Sequence, residues 1–157
     1  MPSSEFLKGF PFSNFPIEFR EAVEECYAKF TELGLLLQDV LNECMGLPPG
    51  FLRDYNGDRS FDFMAAHHYF PATEEGNNGL SAHEDGNCIT FVIQDGVGGL
   101  EVLKDGDWVP AEPVDGSIIV NIGDVIQVRT AQSNTVPRTD HVVLIKRWWW
   151  WVGAEQQ

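Results

Sequence analysis

The spacing of apolar residues changes once along the chain, from a helical to a strand-like period. From Phe19 to Cys44, apolar residues recur every three or four positions, as on one face of an α-helix. We therefore predict one long amphipathic helix, with Asn14 as its capping residue and Pro16 in its first turn. Gly46 and the Pro48-Pro49 pair cannot continue a helix and are expected to end it.

After this helix, short runs rich in β-branched and aromatic residues alternate with turn-forming residues. The runs are FDFMAAHHYF (61–70), NCITFVIQ (87–94), GLEVLKDGDWVPA (99–111) and SIIVNIGDVIQV (117–128). Each run is typical of a β-strand or of a strand pair. Asp105-Gly106 is a strong signal for a tight hairpin turn. The predicted fold class is therefore mainly β with an N-terminal helix, and the strands are expected to form a sandwich or barrel.

Composition narrows the class of partner and the compartment. The 157 residues include 24 acidic and 10 basic side chains, a formal net charge of −14, which disfavours binding to nucleic acid or to an anionic membrane. The expected partner is a small molecule or a protein. Three widely separated cysteines, the absence of a signal-peptide pattern and the lack of an apolar run of membrane-spanning length predict a cytoplasmic protein.

His83 and Asp85 are the residues whose spacing indicates chemistry. In an extended chain, residues i and i+2 project to the same side, so the imidazole and the carboxylate can reach a common point. Two histidines and one carboxylate on one face of an octahedron suit non-haem Fe(II) and leave positions open. A second histidine has to come from His67, His68 or His141. A surface pair or a simple hydrogen bond between His83 and Asp85 is the structural alternative.

The residues around this pair carry a family resemblance. The matching stretches are Gly79-Leu80-Ser81-Ala82-His83-Glu84-Asp85, Ile89-Thr90-Phe91, Gln94-Asp95-Gly96-Val97-Gly98-Gly99-Leu100-Glu101-Val102, Gly106-Asp107-Trp108-Val109 and Asn121-Ile122-Gly123-Asp124. In this order they resemble the plant-type Fe(II)/2-oxoglutarate dioxygenases, the branch that includes anthocyanidin synthase, flavonol synthase and the gibberellin oxidases. The resemblance implies a double-stranded β-helix, or jelly roll. It also implies Fe(II), with 2-oxoglutarate and O2 as cosubstrates, and hydroxylation or desaturation of a small metabolite, as in plant secondary metabolism.

The resemblance also implies roles for single residues. His83 and Asp85 correspond to metal ligands, and His141 is the expected second histidine. His68 and Phe70 stand where the family often has residues that contact 2-oxoglutarate, so that contact does not transfer simply, and a structural role for His67 and His68 is equally open. The turn from Asn121 to Asp124 is expected to be architectural. The resemblance divides the chain into a helical segment, 1–60, and an oxygenase domain, 61–157, whose residues 128–157 form a divergent tail.

The tail departs from the family pattern and leaves a second function open. The arginine expected directly after His141 is missing, and no Arg-x-Ser follows to grip the distal carboxylate of 2-oxoglutarate. Residues 128–157 are either a divergent tail or translated intron sequence, and the chain is expected to be truncated at both ends relative to the family. The alternative function is therefore a catalytically inactive truncated or mis-spliced fragment that acts at most as a binding protein. A cupin-like metal protein is a weaker alternative, because the sequence supplies no further histidines near His83.

Overall fold

A computed structural model describes residues 14–57, 59, 62–69 and 79–126 of the protein and, for their backbone alone, residues 142–145. The chain divides into two compact units, Met1–Ala65 and Ala66–Gln157. The first unit contains helices in its described part, and the second contains strands.

The first unit is dominated by the predicted long helix. Helix α1 spans Ile17–Cys44 without interruption, which confirms the helical prediction. The predicted cap is wrong, because the N-cap residue is Pro16 and no side chain caps the helix. The Pro16 carbonyl accepts the first helical hydrogen bond, from the Arg20 N–H at 3.2 Å.

Helix α1 ends at Cys44, just before the glycine and proline residues predicted to end it, and residues 45–50, which we call the corner, connect it to the next helix. Helix α2, Phe51–Asn56, begins after the corner. The corner is built around Asn42, which is only 4% exposed. Its side-chain amide donates to the Pro48 carbonyl at 2.6 Å, and its side-chain oxygen accepts from the Leu52 N–H at 3.1 Å. Both ends of the buried amide are thus paired with backbone groups, as burial of a polar side chain requires.

The described strands of the second unit form two antiparallel sheets. The strands are β1 (Leu80–His83), β2 (Ile89–Val92), β3 (Leu100–Lys104), β4 (Asp107–Pro110), β5 (Ile119–Ile122) and β6 (Val142–Ile145). One sheet has the order β1-β6-β3-β4, and the other pairs β2 with β5. Strand β6 therefore lies between β1 and β3, although it comes last in the sequence. Leu100 at the start of β3, Cys88 before β2 and Ile126 are the buried apolar residues of this unit in the described part of the chain.

The hairpin between β3 and β4 confirms the turn predicted at Asp105-Gly106. Lys104 pairs with Asp107, which leaves a two-residue loop. Both loop residues have positive φ, 53° for Asp105 and 90° for Gly106. Positive φ at both positions is the requirement of a type I′ turn, and Asp-Gly meets it at low cost.

Two of the predicted strand runs are wrong in part. The described portion of the first run, residues 62–69, forms no strand. The last run forms β5 but leaves the strand after Ile122, since Asp124 and Val125 donate their N–H groups to carbonyls of a neighbouring loop. An alternating sequence becomes a strand only where a partner strand accepts its backbone hydrogen bonds.

Candidate metal centre

His83 is the last residue of β1, and its own strand orients its ring. The His83 Nδ1 lies 2.8 Å from the Ser81 carbonyl oxygen. A carbonyl oxygen only accepts hydrogen bonds, so Nδ1 carries the proton and donates. In the neutral form of the ring, Nε2 is then the nitrogen that presents a lone pair. This is the arrangement in which a histidine binds a metal, with the other ring nitrogen held by an outer partner.

Asp85 meets His83 just beyond the end of β1. The Asp85 Oδ1 lies 3.4 Å from the His83 Nε2, so the spacing noted in the sequence does bring the two side chains together. The other carboxylate oxygen, Oδ2, accepts a hydrogen bond from the Asn121 side-chain amide at 3.4 Å. The Asp85 side chain is 16% exposed and that of His83 is 37% exposed, so the pair is partly sheltered and still accessible.

The loop that carries Asp85 is clamped by the turn after β5. The Asp124 N–H donates to the Asp85 carbonyl at 2.8 Å, and the Gly123 N–H donates to the Cys88 carbonyl at 3.0 Å. A third bond runs from the Val125 N–H to the Asn87 carbonyl at 3.3 Å. A Cβ at Gly123 would overlap the Asn87 carbonyl oxygen. Only glycine lets the two backbone segments approach this closely.

The donor set fits a metal of the Fe(II) type. An imidazole nitrogen and a carboxylate oxygen face each other at a separation that one ion can bridge, and both donor types suit divalent iron. Within the described residues, no group of three His, Cys, Asp or Glu side chains could hold a metal ion. His141, the predicted third ligand, lies outside the described residues, and so does Phe70.

His67 and His68 belong to a segment with its own contacts. The His67 ring stacks on the Tyr69 ring, with centroids 5.9 Å apart and planes inclined by 27°. The Tyr69 ring lies against the backbone of Gly79, where a Cβ would overlap it. Burial raises the pKa of the Tyr69 phenol, so the phenol keeps its proton at neutral pH. This segment packs beside the residue that leads into β1.

Sequence reasoning missed the contact between Asn121 and Asp85. The two residues are 36 positions apart, and they meet because β5 pairs with β2, the strand that follows the Asp85 loop. One signal was available in the sequence. Asn121 interrupts the apolar stretch Ile118–Ile122, and asparagine is disfavoured within a strand unless its amide has a use.

No helix in the described part of the chain is long and apolar enough to cross a membrane.

The sequence is similar to a family of oxygenases and to several of its plant members. Residues 60–149 match the family model of the 2OG-Fe(II) oxygenase superfamily. Flavanone 3-dioxygenase 2 of Oryza sativa subsp. japonica is 36% identical over 128 residues, which cover 80% of this chain and 36% of that protein. Gibberellin 20 oxidase 2 of Oryza sativa subsp. indica is 40% identical over 94 residues, 59% of this chain and 24% of that protein.

Solved structures give the same assignment of fold. JOX2, crystallised with 2OG, Fe and JA, aligns with a TM-score of 0.68 and 26% identity over 90% of this chain and 41% of that one. The dioxygenase for auxin oxidation of rice aligns with a TM-score of 0.63 and 27% identity over 86% of this chain and 44% of that one. The predicted fold class, short antiparallel strands of a jelly roll with an N-terminal helix, is confirmed. The chain spans about a third of the length of the curated relatives, 36% of the flavanone dioxygenase.

Proposed function

Because the chain belongs to the 2OG-Fe(II) oxygenase superfamily, we propose that it carries the metal-binding part of an oxygenase that oxidises a small organic metabolite. The oxidation is a hydroxylation or a desaturation, coupled to decarboxylation of 2-oxoglutarate. The predicted cofactors, Fe(II) and 2-oxoglutarate, are those of the family. The observation that supports the proposal most strongly is the approach of His83 Nε2 to Asp85 Oδ1 at 3.4 Å.

We propose His83, Asp85 and His141 as the three ligands. The support for His141 is the register of β6, which begins at the next residue. Val143 of β6 pairs with His83 in antiparallel fashion. His141 lies two positions before Val143 in the sequence.

The protein groups prepare the site in distinct ways. When bound, Fe(II) together with 2-oxoglutarate and O2 supplies the oxidising chemistry, and succinate and CO2 are the by-products. His83 would hold the ion through Nε2, because the Ser81 carbonyl accepts a hydrogen bond from Nδ1. Asp85 contributes negative charge and one oxygen, while its second oxygen stays with Asn121. Three protein ligands leave the remaining positions for the cosubstrate and O2.

The substrate is proposed only as a class. Flavanone 3-dioxygenase and gibberellin 20 oxidase are named for small organic molecules, and JOX2 was crystallised with JA. The net charge of −14 supports the same class, because it opposes nucleic acid and anionic membrane as partners. The proposal includes a cytoplasmic location. It also includes the division of the chain into a helical segment, 1–60, and an oxygenase domain, 61–157.

Turnover tests the proposal. The purified chain is incubated with Fe(II), O2 and 2-oxoglutarate, with and without a panel of flavanones, gibberellins and JA, and succinate is measured. The proposal predicts succinate that rises with at least one panel compound and disappears in His83→Ala. Glu84→Ala, which changes the exposed residue between the two proposed ligands, is the matched control and is expected to keep turnover. Succinate formation that is equal in wild type and His83→Ala contradicts the proposal.

The second candidate function is a binding protein without turnover. It is favoured by one observation inside the stretch that matches the family model, Val142 in the place directly after His141 where the resemblance implies an arginine. A chain of this kind would bind Fe(II) through His83 and Asp85 and form no succinate with any compound. Metal binding is measured together with succinate formation. Fe(II) binding with succinate formation indicates the oxygenase, and Fe(II) binding without succinate formation indicates the binding protein.

A further inference from the structure

We infer that Asn121 is a positioning residue of the metal centre, which holds one oxygen of Asp85 so that the carboxylate binds the ion through the other oxygen alone. The inference rests on the proposed function, because it assigns a task in the metal site rather than in the fold. It concerns the number of coordination positions that the protein itself occupies.

The two oxygens of Asp85 have different neighbours. Oδ1 lies 3.4 Å from His83 Nε2, which is the side where the two proposed ligands converge. Oδ2 lies 3.4 Å from the Asn121 side-chain nitrogen, which donates to it. The carboxylate is therefore held with one oxygen toward the metal site and the other toward β5.

The chemistry of the centre gives this orientation a consequence. A carboxylate can bind a metal ion through one oxygen or through both. Binding through both would occupy a further position of the octahedron, and the cosubstrate and O2 need the open positions. A hydrogen bond to Oδ2 disfavours the two-oxygen mode. The amide of asparagine is suited to the task because it donates without adding a positive charge that would weaken the carboxylate as a ligand.

The backbone around Asn121 makes the contact precise. Asn121 is paired with Thr90 in the register of β5 against β2. Two residues later, the turn that begins at Gly123 bonds to the loop of Asp85, including the Asp124 N–H to the Asp85 carbonyl at 2.8 Å. Asp85 is thus fixed by its main chain and its side chain from the same short segment. Such outer contacts orient a ligand and affect metal affinity.

Metal affinity of matched variants tests the inference. Co(II), an air-stable substitute for Fe(II), is titrated into the purified chain without 2-oxoglutarate, and its visible absorption reports binding. Asn121→Leu keeps the branched shape of the side chain and removes the donor, so we expect a dissociation constant for Co(II) that is roughly 10- to 100-fold higher. Asn121→Gln retains an amide and is expected to recover part of the affinity. Thr90→Val removes the hydroxyl opposite Asn121, which bonds to Asn87 and not to Asp85, and is expected to leave Co(II) affinity unchanged.

A second measurement tests the contact in the metal-free chain. The side-chain amide protons of Asn121 are expected to exchange with solvent more slowly in wild type than in Asp85→Ala, as seen by NMR. Equal exchange in the two proteins would show that the contact is absent and would overturn the inference, whatever the metal does.

The outcomes separate this inference from the proposed function. If Asn121→Leu binds Co(II) as tightly as wild type does, the inference is overturned and the proposed metal site is unaffected. A wild-type chain that binds no Co(II) overturns the proposed function, and the positioning role with it. Affinity lost equally in Asn121→Leu and Thr90→Val contradicts the inference as well, because it shows a general effect of disturbing the β2–β5 pair.

Discussion

The helical corner and the loop of Asp85 both depend on an asparagine, but they use it differently. At the corner, Asn42 is buried and both ends of its amide bond to backbone groups of the same unit. At the loop, Asn121 donates to a carboxylate, and the other oxygen of that carboxylate faces the ring nitrogen of His83. Asn42 satisfies backbone groups of the fold, whereas Asn121 bonds to one oxygen of Asp85 and leaves Asp85 Oδ1 and His83 Nε2 facing each other.

The difference shows how a structural polar group can be told from a functional one. A buried amide with every partner in the backbone stabilises the fold and has no capacity for a ligand. A histidine nitrogen and a carboxylate oxygen that converge, each with its other polar atom already bonded, form the beginning of a coordination shell. The comparison predicts that changes at the corner affect stability alone and that changes around Asp85 affect metal binding.

The largest effect on stability is expected for Asn42→Leu. The substitution leaves the buried Leu52 N–H without its partner, whereas the Pro48 carbonyl still accepts from the Phe51 N–H. The expected cost is about 3 kcal/mol in the free energy of unfolding. Urea denaturation followed by circular dichroism measures it, with the exposed Glu43→Ala as control. Under conditions in which Asn42→Leu remains folded, its affinity for Co(II) is expected to equal that of wild type. A loss of Co(II) affinity in folded Asn42→Leu would contradict the assignment of a purely structural role to Asn42.

A smaller loss of stability, joined to a loss of metal affinity, is expected for Gly123→Ala. The new methyl group would overlap the Asn87 carbonyl oxygen, so the loop that carries Asp85 has to move. Overpacking of this kind costs about 1–3 kcal/mol. Denaturation and Co(II) titration are measured on the same samples. The control is Gly86→Ala, next to Asp85, where a Cβ meets no atom within 4 Å. Equal losses of stability and of Co(II) affinity in Gly123→Ala and Gly86→Ala would contradict the role of the turn at Gly123 in holding the loop of Asp85.

These contrasts also explain how much the sequence could reveal. The helix, the Asp105-Gly106 hairpin and the meeting of His83 with Asp85 depend on residues close together in the chain, and local spacing predicts them. The Asn121 contact depends on the pairing of β2 with β5, which local patterns do not specify. The segment 62–69 has strand-like composition yet forms no strand, because composition does not provide a partner strand.

The smallest effect is expected for Asp39→Asn on the surface of the helical unit. Arg53 donates to the Asp39 carboxylate, and this hydrogen bond holds the pKa of Asp39 below its ordinary value. A carboxyl whose pKa is lowered by folding stabilises the fold above its unfolded pKa, and the contribution is lost as the pH falls through the folded pKa. The variant is therefore expected to melt slightly below wild type at neutral pH and at the same temperature in strong acid. A difference that grows in acid contradicts this assignment. Because both groups are exposed, the effect is small.

The central claim is that His83 and Asp85 hold a metal ion with positions left open for a cosubstrate. The most direct measurement is an anaerobic titration of the purified 157-residue chain with Fe(II) and 2-oxoglutarate, followed by the visible charge-transfer band of the chelate. The account predicts a band in wild type that is lost in His83→Ala and in His141→Ala, and that is retained in Asn42→Leu while the protein is folded. A wild-type chain that gives no band, or a band that survives His83→Ala, would contradict it.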